Sequence, residues 1–284
     1  MPRRTGKHIK IYHADGVWYP AKARKDKVLI VMSGSEGGTE HAEKTCWFLQ
    51  DHGIPSLALG YFKTKNSGKN LDRIELENVE AAISWLRNQG YEKIGILGAS
   101  KGAEYAAASS IAFKTLGCVI LRTPSWFYSE GMTGRTPSGK SCWSYKGQEL
   151  PFTPYKTRKL PILKEVLHHR EYHILAVNEG KKVVPESVIP IEKIQAPILM
   201  FSTKADTIWP SYESCEKLKK RLKDSDYKYP YKHISFEYMS HMMLEYCGKG
   251  IKYFIKSERD YPDECVAERE QLGTETIQWI EKIW

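Results

Sequence analysis

The stretch that decides the fold is Lys93-Ile-Gly-Ile-Leu-Gly-Ala-Ser-Lys-Gly-Ala-Glu104, an apolar run that leads into a serine flanked by glycines. The run from Lys93 to Leu97 is short and closed by a glycine, which is typical of a strand buried on both faces of a sheet. Alanine-rich sequence follows from Ala103 to Ala108 and predicts a helix. Ser100 therefore occupies the turn between a buried strand and a helix.

Strands and helices alternate on both sides of this turn. Further strands are predicted at Val28–Met32, Pro55–Gly60, Cys118–Leu121, Ala196–Ser202 and Ile234–Tyr238, and helices at about 41–50, 71–89, 212–222 and 266–284. This alternation predicts βαβ units and a parallel sheet. We expect one domain over residues 1–284, in which a mostly parallel central sheet is flanked by helices.

The alternation breaks between residues 126 and 190, which are rich in Gly, Ser, Pro, Tyr and Lys and contain one weak helical stretch near Ile162–His169. So long a segment is rarely a plain loop, so we interpret it as a cap over a site. Its aromatic residues offer apolar surface to an acyl chain, although some would merely anchor the cap to the body. The candidate substrate-binding residues are Trp126, Phe127, Trp143, Tyr145 and Phe152.

Gly98, Ser100 and Gly102 form a G-x-S-x-G motif in the strand–turn–helix context of the nucleophile elbow of the α/β-hydrolase fold. The glycines leave room around the serine, and the helix N-terminus stabilises negative charge that develops there. The alternative is a glycine-rich turn of a nucleotide-binding fold, which the missing G-x-G-x-x-G spacing disfavours. We therefore predict an α/β-hydrolase fold with Ser100 as the nucleophile.

A serine hydroxyl needs a base and an acid, which in this fold follow it along the chain in the order Ser, acid, His. Asp206 follows the strand that ends at Ser202, and His241 follows the strand that ends near Tyr238. Alone, Asp206 could cap a helix and His241 could be a surface histidine, but together with the elbow we predict them to be the acid and the base of a Ser100 triad. Other histidines fit less well: His233 precedes its strand, and His168, His169 and His173 lie in the cap without a further metal ligand nearby.

The backbone N–H groups of Lys101 and Ser35 are the candidate oxyanion donors. Lys101 directly follows the nucleophile, and Ser35 lies in the glycine-rich loop after the strand Val28–Met32. The alternative for this loop is a plain turn without a catalytic role.

Composition limits the other functions. The net charge of +9 could favour an anionic partner, but the lysines are scattered and no nucleic-acid motif accompanies them. The six cysteines form no CxxC pair, which favours free thiols in a reducing compartment and neither zinc nor redox chemistry. No signal peptide and no apolar run of about 20 residues is present. We expect a cytoplasmic enzyme without a metal or cofactor; the oligomeric state stays open.

The elbow Gly98-Ala-Ser-Lys-Gly-Ala-Glu104 resembles the G-x-S-K-G-A-E pattern of the C-terminal domain of the acyl-CoA thioesterase and bile acid-CoA:amino acid N-acyltransferase family. Ser33-Gly-Ser-Glu-Gly-Gly38 is similar to its oxyanion segment, and Ser141-Cys-Trp-Ser-Tyr-Lys-Gly-Gln-Glu-Leu-Pro-Phe152 to its cap signature. The resemblance covers about residues 27–284. Only about 26 residues precede the first clear strand, so we expect no counterpart of that family's N-terminal β-sandwich domain within residues 1–284.

The resemblance implies hydrolysis of an acyl thioester, possibly an acyl-CoA, through an acyl-enzyme on Ser100. Amino-acid-conjugating members tend to carry cysteine as nucleophile, so serine favours water as the acceptor. Three alternatives stay open: a carboxylesterase similar to dienelactone hydrolases, an acyltransferase to an amine or alcohol, and a non-catalytic binding protein.

Overall fold

The computed structural model describes residues 6–21, 26–134, 136–155, 182–248, 250–253 and 255–284. The strands are β1 (Lys7–Ile11), β2 (Ala14–Tyr19), β3 (Lys27–Met32), β4 (Ser56–Gly60), β5 (Ile74–Glu75), β6 (Lys93–Ala99), β7 (Leu116–Arg122), β8 (Glu130–Thr133), β9 (Thr136–Ser141), β10 (Trp143–Tyr145), β11 (Gln148–Glu149), β12 (Ile198–Thr203) and β13 (Tyr231–Phe236). The helices are α1 (Glu40–Asp51), α2 (Glu77–Asn88), α3 (Lys101–Ala112), α4 (Ser211–Asp224), α5 (Lys256–Asp260) and α6 (Pro262–Gln278).

Eight of these strands form the central sheet, in the order β1-β2-β4-β3-β6-β7-β12-β13. The pairings from β4 to β13 are parallel, whereas β1 pairs with β2 and β2 with β4 antiparallel. The prediction of a mostly parallel central sheet is therefore confirmed. No helix of the described residues is long and apolar enough to cross a membrane.

Both faces of the sheet are covered, as the continuous apolar strands require. All six residues of β3 are buried, with Val28 and Ile30 on one face and Leu29 and Val31 on the other. Helices α2, α3 and α4 supply apolar residues to the first face, and α1 and α6 supply them to the second. The carboxyl ends of the parallel strands consequently meet at one edge between the two helical layers, where loops can carry a site.

The structure corrects several element boundaries. The hairpin β1–β2 was not predicted, because the short strand β1 carries mostly polar residues at exposed positions. The predicted helix over 71–89 is divided into β5 and α2. The last helix begins at Pro262, and its α-helical part ends at Gln278 before a π-helical turn over Trp279–Ile283.

The segment 126–190 contains more regular structure than its composition suggested. Strands β8 and β9 form a two-stranded antiparallel sheet, while β10 pairs with β11 and, in parallel, with β5. The weak helix predicted near 162–169 lies outside the described residues. That this segment acts as a cap stays a prediction.

Candidate active site

Ser100 lies at the turn from β6 into α3 in a backbone conformation that non-glycine residues rarely adopt, with φ 54° and ψ −118°. Its N–H donates to the carbonyl oxygen of Arg122 at the end of β7, at 2.8 Å. Its own carbonyl oxygen accepts the N–H of Ala103 at 2.9 Å, which begins the helix. Such strain persists only where the surroundings enforce it, and it commonly marks a functional residue.

The two glycines of the motif are needed for close backbone packing. A Cβ atom on Gly98 would lie 2.0 Å from the carbonyl oxygen of Gly102, and one on Gly102 would lie 2.3 Å from that of Ser33. Neither contact can be relieved by moving a side chain, because the opposing atoms belong to the backbone. The motif therefore allows α3 to pack directly against β6 and the loop after β3.

Asp206 and His241, predicted from chain order and from their positions after strands, lie against each other at the carboxyl ends of β12 and β13. His241 Nδ1 is 2.8 Å from Asp206 Oδ2 and 3.0 Å from Oδ1. The carboxylate is itself held, because Oδ1 accepts the N–H groups of Ile208 at 3.0 Å and Trp209 at 2.9 Å. Both side chains are buried, which strengthens the interaction between them.

The loop after β3 lies beside Ser100. A Cβ atom on Gly34 would be 3.0 Å from Ser100 Cβ and 3.4 Å from its Oγ. The Gly34 N–H donates to Glu36 Oε1 at 3.0 Å, and the buried hydroxyl of Tyr61 donates to the carbonyl oxygens of Ser33 and Gly34 at 2.8 and 3.1 Å. Ser35 is exposed and lines the same cavity as Ser100. Among the described residues, no hydrogen-bond acceptor engages the N–H of Ser35 or Lys101.

Glu36 and His41 form a polar part of the cavity wall. His41 Nδ1 is 3.1 Å from Glu36 Oε1, the same oxygen that accepts the Gly34 N–H. Desolvation in the cavity wall opposes ionisation of Glu36, whose side chain is still 38% exposed, but the bonds from His41 and from the backbone hold the pKa of this carboxyl below its usual value. Glu36 is therefore a carboxylate that fixes the orientation of the Gly34 peptide.

Ser100 and His241 share a cavity of about 450 Å³. Its wall is largely apolar and includes Phe62, Leu71, Met132, Ile208, Met242 and Leu244. The side chains of Lys63 and Lys69 add positive charge to the lining. A cavity of this kind, apolar with a few polar groups converging on one point, is typical of small-molecule sites.

The five aromatic residues predicted to bind substrate are not among the residues that line this cavity. Trp143 is fully buried, its ring stacked on Tyr105 at 4.8 Å. Trp126 and Phe127 contact each other, and the Phe127 ring lies 5.7 Å from that of Trp209. Tyr145 packs edge-on against Phe113, and Phe152 is half-buried. The described side chains therefore pack against one another or against neighbouring elements outside this cavity wall, and a role in binding substrate stays a prediction.

The side chains of Lys101 and Glu104 form a buried cluster that sequence reasoning missed. Lys101 Nζ lies 3.1 Å from Glu104 Oε1 and also donates to Ser129 Oγ, and the Trp143 indole N–H donates to Glu104 Oε2 at 3.2 Å. The sequence pattern that could have predicted this contact is the spacing of the lysine and the glutamate, three residues apart on an otherwise alanine-rich helix. The cluster joins the elbow helix to β8 and β10, so it accounts for the part of the elbow pattern beyond G-x-S-x-G.

The remaining histidines are placed as follows. His233 lies within β13 and not before it, with Nε2 2.7 Å from Ser202 Oγ and Nδ1 2.8 Å from Glu216 Oε1. His168, His169 and His173 lie outside the described residues. Among the residues that are described, no group of three or more His, Cys, Asp or Glu side chains could hold a metal ion.

Comparison with solved structures defines the class. The chain is similar over 97% of its length to the esterase Est1E from Butyrivibrio proteoclasticus with ferulic acid bound, with a TM-score of 0.57 and 14% identity, and it covers all of that chain. It is similar over 95% of its length to the Pyrococcus furiosus esterase Pf2001, of which it covers 90%, with a TM-score of 0.55 and 15% identity. The fold is that of the α/β hydrolases.

The family follows from sequence. The family described as "BAAT / Acyl-CoA thioester hydrolase C terminal" matches residues 74–247, and the chain belongs to this family. It is 24% identical over 197 residues to mouse acyl-coenzyme A thioesterase 1, covering 68% of this chain and 43% of that protein. It is 24% identical over 255 residues to the mouse peroxisomal succinyl-coenzyme A thioesterase, covering 88% and 53%. The chain thus spans about half the length of the curated relatives it matches.

Proposed function

We propose that this chain hydrolyses acyl thioesters through a covalent acyl-enzyme, with Ser100 as nucleophile, His241 as base and Asp206 as acid. The observation that carries the proposal is the convergence of a strained serine and a buried Asp206–His241 pair on one apolar cavity. Each residue comes from the carboxyl end of a different parallel strand, as in the serine hydrolases of this fold.

The chemistry follows from the hydrogen bonds. Donation from His241 Nδ1 to Asp206 leaves the lone pair on Nε2, so this nitrogen can take the proton from Ser100 Oγ. Oγ then attacks the acyl carbonyl carbon, and the carbon–sulfur bond breaks as the thiolate leaves with the proton from His241. Water, activated by the same imidazole, attacks the acyl-enzyme and releases the acid and free Ser100.

The oxyanion of each tetrahedral intermediate would be held by the N–H groups of Lys101 and Ser35. Lys101 is the first residue of α3, whose N–H has no acceptor within the helix. The positive end of the helix dipole lies at the same point. The N–H of Gly34 is already bonded to Glu36, which supports Ser35 as the second donor.

The substrate class is proposed from the family. Its acyl-coenzyme A thioesterase relatives favour an acyl-CoA, and the apolar wall of the cavity would suit the acyl chain. Because the same catalytic groups can cleave oxygen esters, a carboxylesterase is the alternative function. Transfer of the acyl group to an amine or alcohol would require only that this acceptor replace water.

We also propose that the segment 126–190 caps the site, since its residues Met132 and Gly134 line the cavity.

A cytoplasmic location forms part of the proposal. All six cysteines are free thiols, and five of them are buried. Thiols that remain unpaired are typical of a reducing compartment.

The test is covalent labelling of Ser100 together with a panel of acyl-CoAs and p-nitrophenyl esters of increasing chain length. A fluorophosphonate should modify Ser100 in the wild type, and Ser100→Ala should remove both the label and turnover. Labelling that persists in Ser100→Ala would assign the nucleophile to another residue. Higher kcat/KM on oxygen esters than on acyl-CoAs would favour the carboxylesterase.

A further inference from the structure

A buried ion pair joins the strand next to the elbow to the loop that carries His241. Arg122 Nη2 lies 2.5 Å from Glu245 Oε1, and the two side chains are only 1% and 2% exposed. Burying two charges carries a large desolvation cost for each ion, so such a pair is weak evidence of a contribution to stability. A contribution to stability therefore does not by itself explain why Arg122 and Glu245 are buried as a pair.

Arg122 contacts both halves of the proposed catalytic apparatus. Its carbonyl oxygen accepts the N–H of Ser100 at 2.8 Å, so its backbone is fixed to the nucleophile. Its guanidinium Nη1 donates to the carbonyl oxygen of Met243 at 3.2 Å, two residues after His241. Thr45 closes the network, because its hydroxyl lies 3.3 Å from Arg122 Nη1 and donates to Glu245 Oε2 at 3.0 Å.

The loop itself has little internal support. Residues 239–248 form no helix or strand, and the backbone bonds within 241–244 are short-range ones from Met243 to His241 and from Leu244 to Met242. Before His241 the loop is held by Glu268, whose carboxylate accepts the N–H groups of residues 237–239. After His241 the buried hold is the Arg122–Glu245 pair, and an exposed bond from the Tyr246 hydroxyl to Asp51 Oδ2 at 2.7 Å follows it.

We infer that Arg122 and Glu245 are positioning residues, which hold the loop so that His241 meets Ser100. The inference rests on the proposed function, since it assumes that His241 takes the proton of Ser100. A shift of the imidazole by about 1 Å can reduce a rate by about 100-fold. Loss of the pair should therefore lower the reactivity of Ser100 in molecules that remain folded.

The variants separate positioning from stability. Glu245→Ala removes the anchor, whereas Glu245→Gln keeps groups that can bond Arg122 and Thr45 and removes only the charge. The double variant Arg122→Met/Glu245→Leu replaces the pair by apolar side chains, a change that often leaves stability intact. Glu258→Ala is the matched control for Glu245→Ala, because it removes the carboxylate from the similarly buried pair with Arg269, which lies outside the cavity wall.

The main readout is the second-order rate of Ser100 labelling by a small fluorophosphonate, measured well below the Tm of each variant. A small probe is required because Arg122 also lines the cavity and could contact a long acyl chain. We expect Glu245→Ala and the double variant to label at least about tenfold more slowly, with a similar fall in kcat and a change in KM below about threefold. Glu245→Gln should retain more of the labelling rate than Glu245→Ala although its Tm falls.

The outcomes are distinct. If Glu245→Ala and the double variant label at the wild-type rate and only their Tm falls, the pair is structural and the inference is wrong. A changed KM for long acyl chains at an unchanged labelling rate would overturn it in favour of substrate contact. Glu258→Ala should lose Tm without losing labelling rate; slowing equal to that of Glu245→Ala would also contradict a specific role. Absence of Ser100 labelling in the wild type would refute the proposed function instead.

Discussion

Replacing Asp206 by asparagine tests the proposed acid through the tautomer of His241. Oδ1 of Asp206 accepts two backbone N–H groups, from Ile208 and Trp209, and Oδ2 lies 2.8 Å from His241 Nδ1. In Asp206→Asn the amide oxygen must remain with the two N–H donors, because an NH₂ group there would oppose both. The NH₂ group therefore takes the place of Oδ2 and donates to Nδ1.

This exchange should inactivate the base without unfolding the site. An imidazole that accepts at Nδ1 carries its proton on Nε2, so Nε2 has no lone pair for the proton of Ser100. We expect kcat to fall by about 10³- to 10⁴-fold, which corresponds to about 4–5.5 kcal/mol of transition-state stabilisation. His241→Ala should lower kcat by about 10³-fold or more, because it removes the base that takes the proton of Ser100.

The assay is steady-state hydrolysis of an acyl-CoA and a p-nitrophenyl ester, with Tm measured on the same preparations. Asp15→Asn is the matched control: Asp15 Oδ2 likewise accepts a backbone N–H, from Asn66 at 2.8 Å, but Asp15 lies outside the cavity wall. The control should retain kcat within about twofold. An Asp206→Asn variant that keeps its Tm and loses less than about tenfold in kcat would refute the assignment of Asp206.

Three further predictions concern Trp143 and His233. Trp143→Ala should destabilise the fold by about 3–5 kcal/mol in chemical denaturation while the preferred acyl chain length stays the same, because the side chain packs on Tyr105; a shifted preference at unchanged stability would instead indicate a lining role. His233→Ala should change kcat by less than about threefold, and equal damage to that of His241→Ala would make the assignment of the base wrong. Burial lowers the pKa of His233 below 6.5, although Glu216 opposes this, so the folded state binds a proton less readily than the unfolded state. Acidification from pH 7.5 to 5.5 should consequently lower the Tm of the wild type more than that of His233→Ala.

The sequence alone determined the fold class, because local pattern and chain order carry that information. The continuous apolar runs indicated strands in a sheet covered on both faces, and the alternation of strands and helices indicated parallel pairing. The elbow could be recognised because its glycines are required by local steric contacts. In the structure, a Cβ atom on Gly98 would meet the backbone of Gly102, and one on Gly102 would meet the backbone of Ser33. Asp206 and His241 were predicted from their positions after strands, and the structure places them within hydrogen-bonding distance.

Tertiary structure decided which side chains meet when no local pattern joins them. Trp143 was expected to line the substrate site, yet it closes a buried cluster with Glu104, 39 residues away. The Arg122–Glu245 pair joins residues 123 positions apart, and nothing in either neighbourhood signals the other. Hydrophobic pattern specifies that a residue is buried but not what it contacts, because burial depends on local periodicity whereas contacts depend on how distant segments pack together.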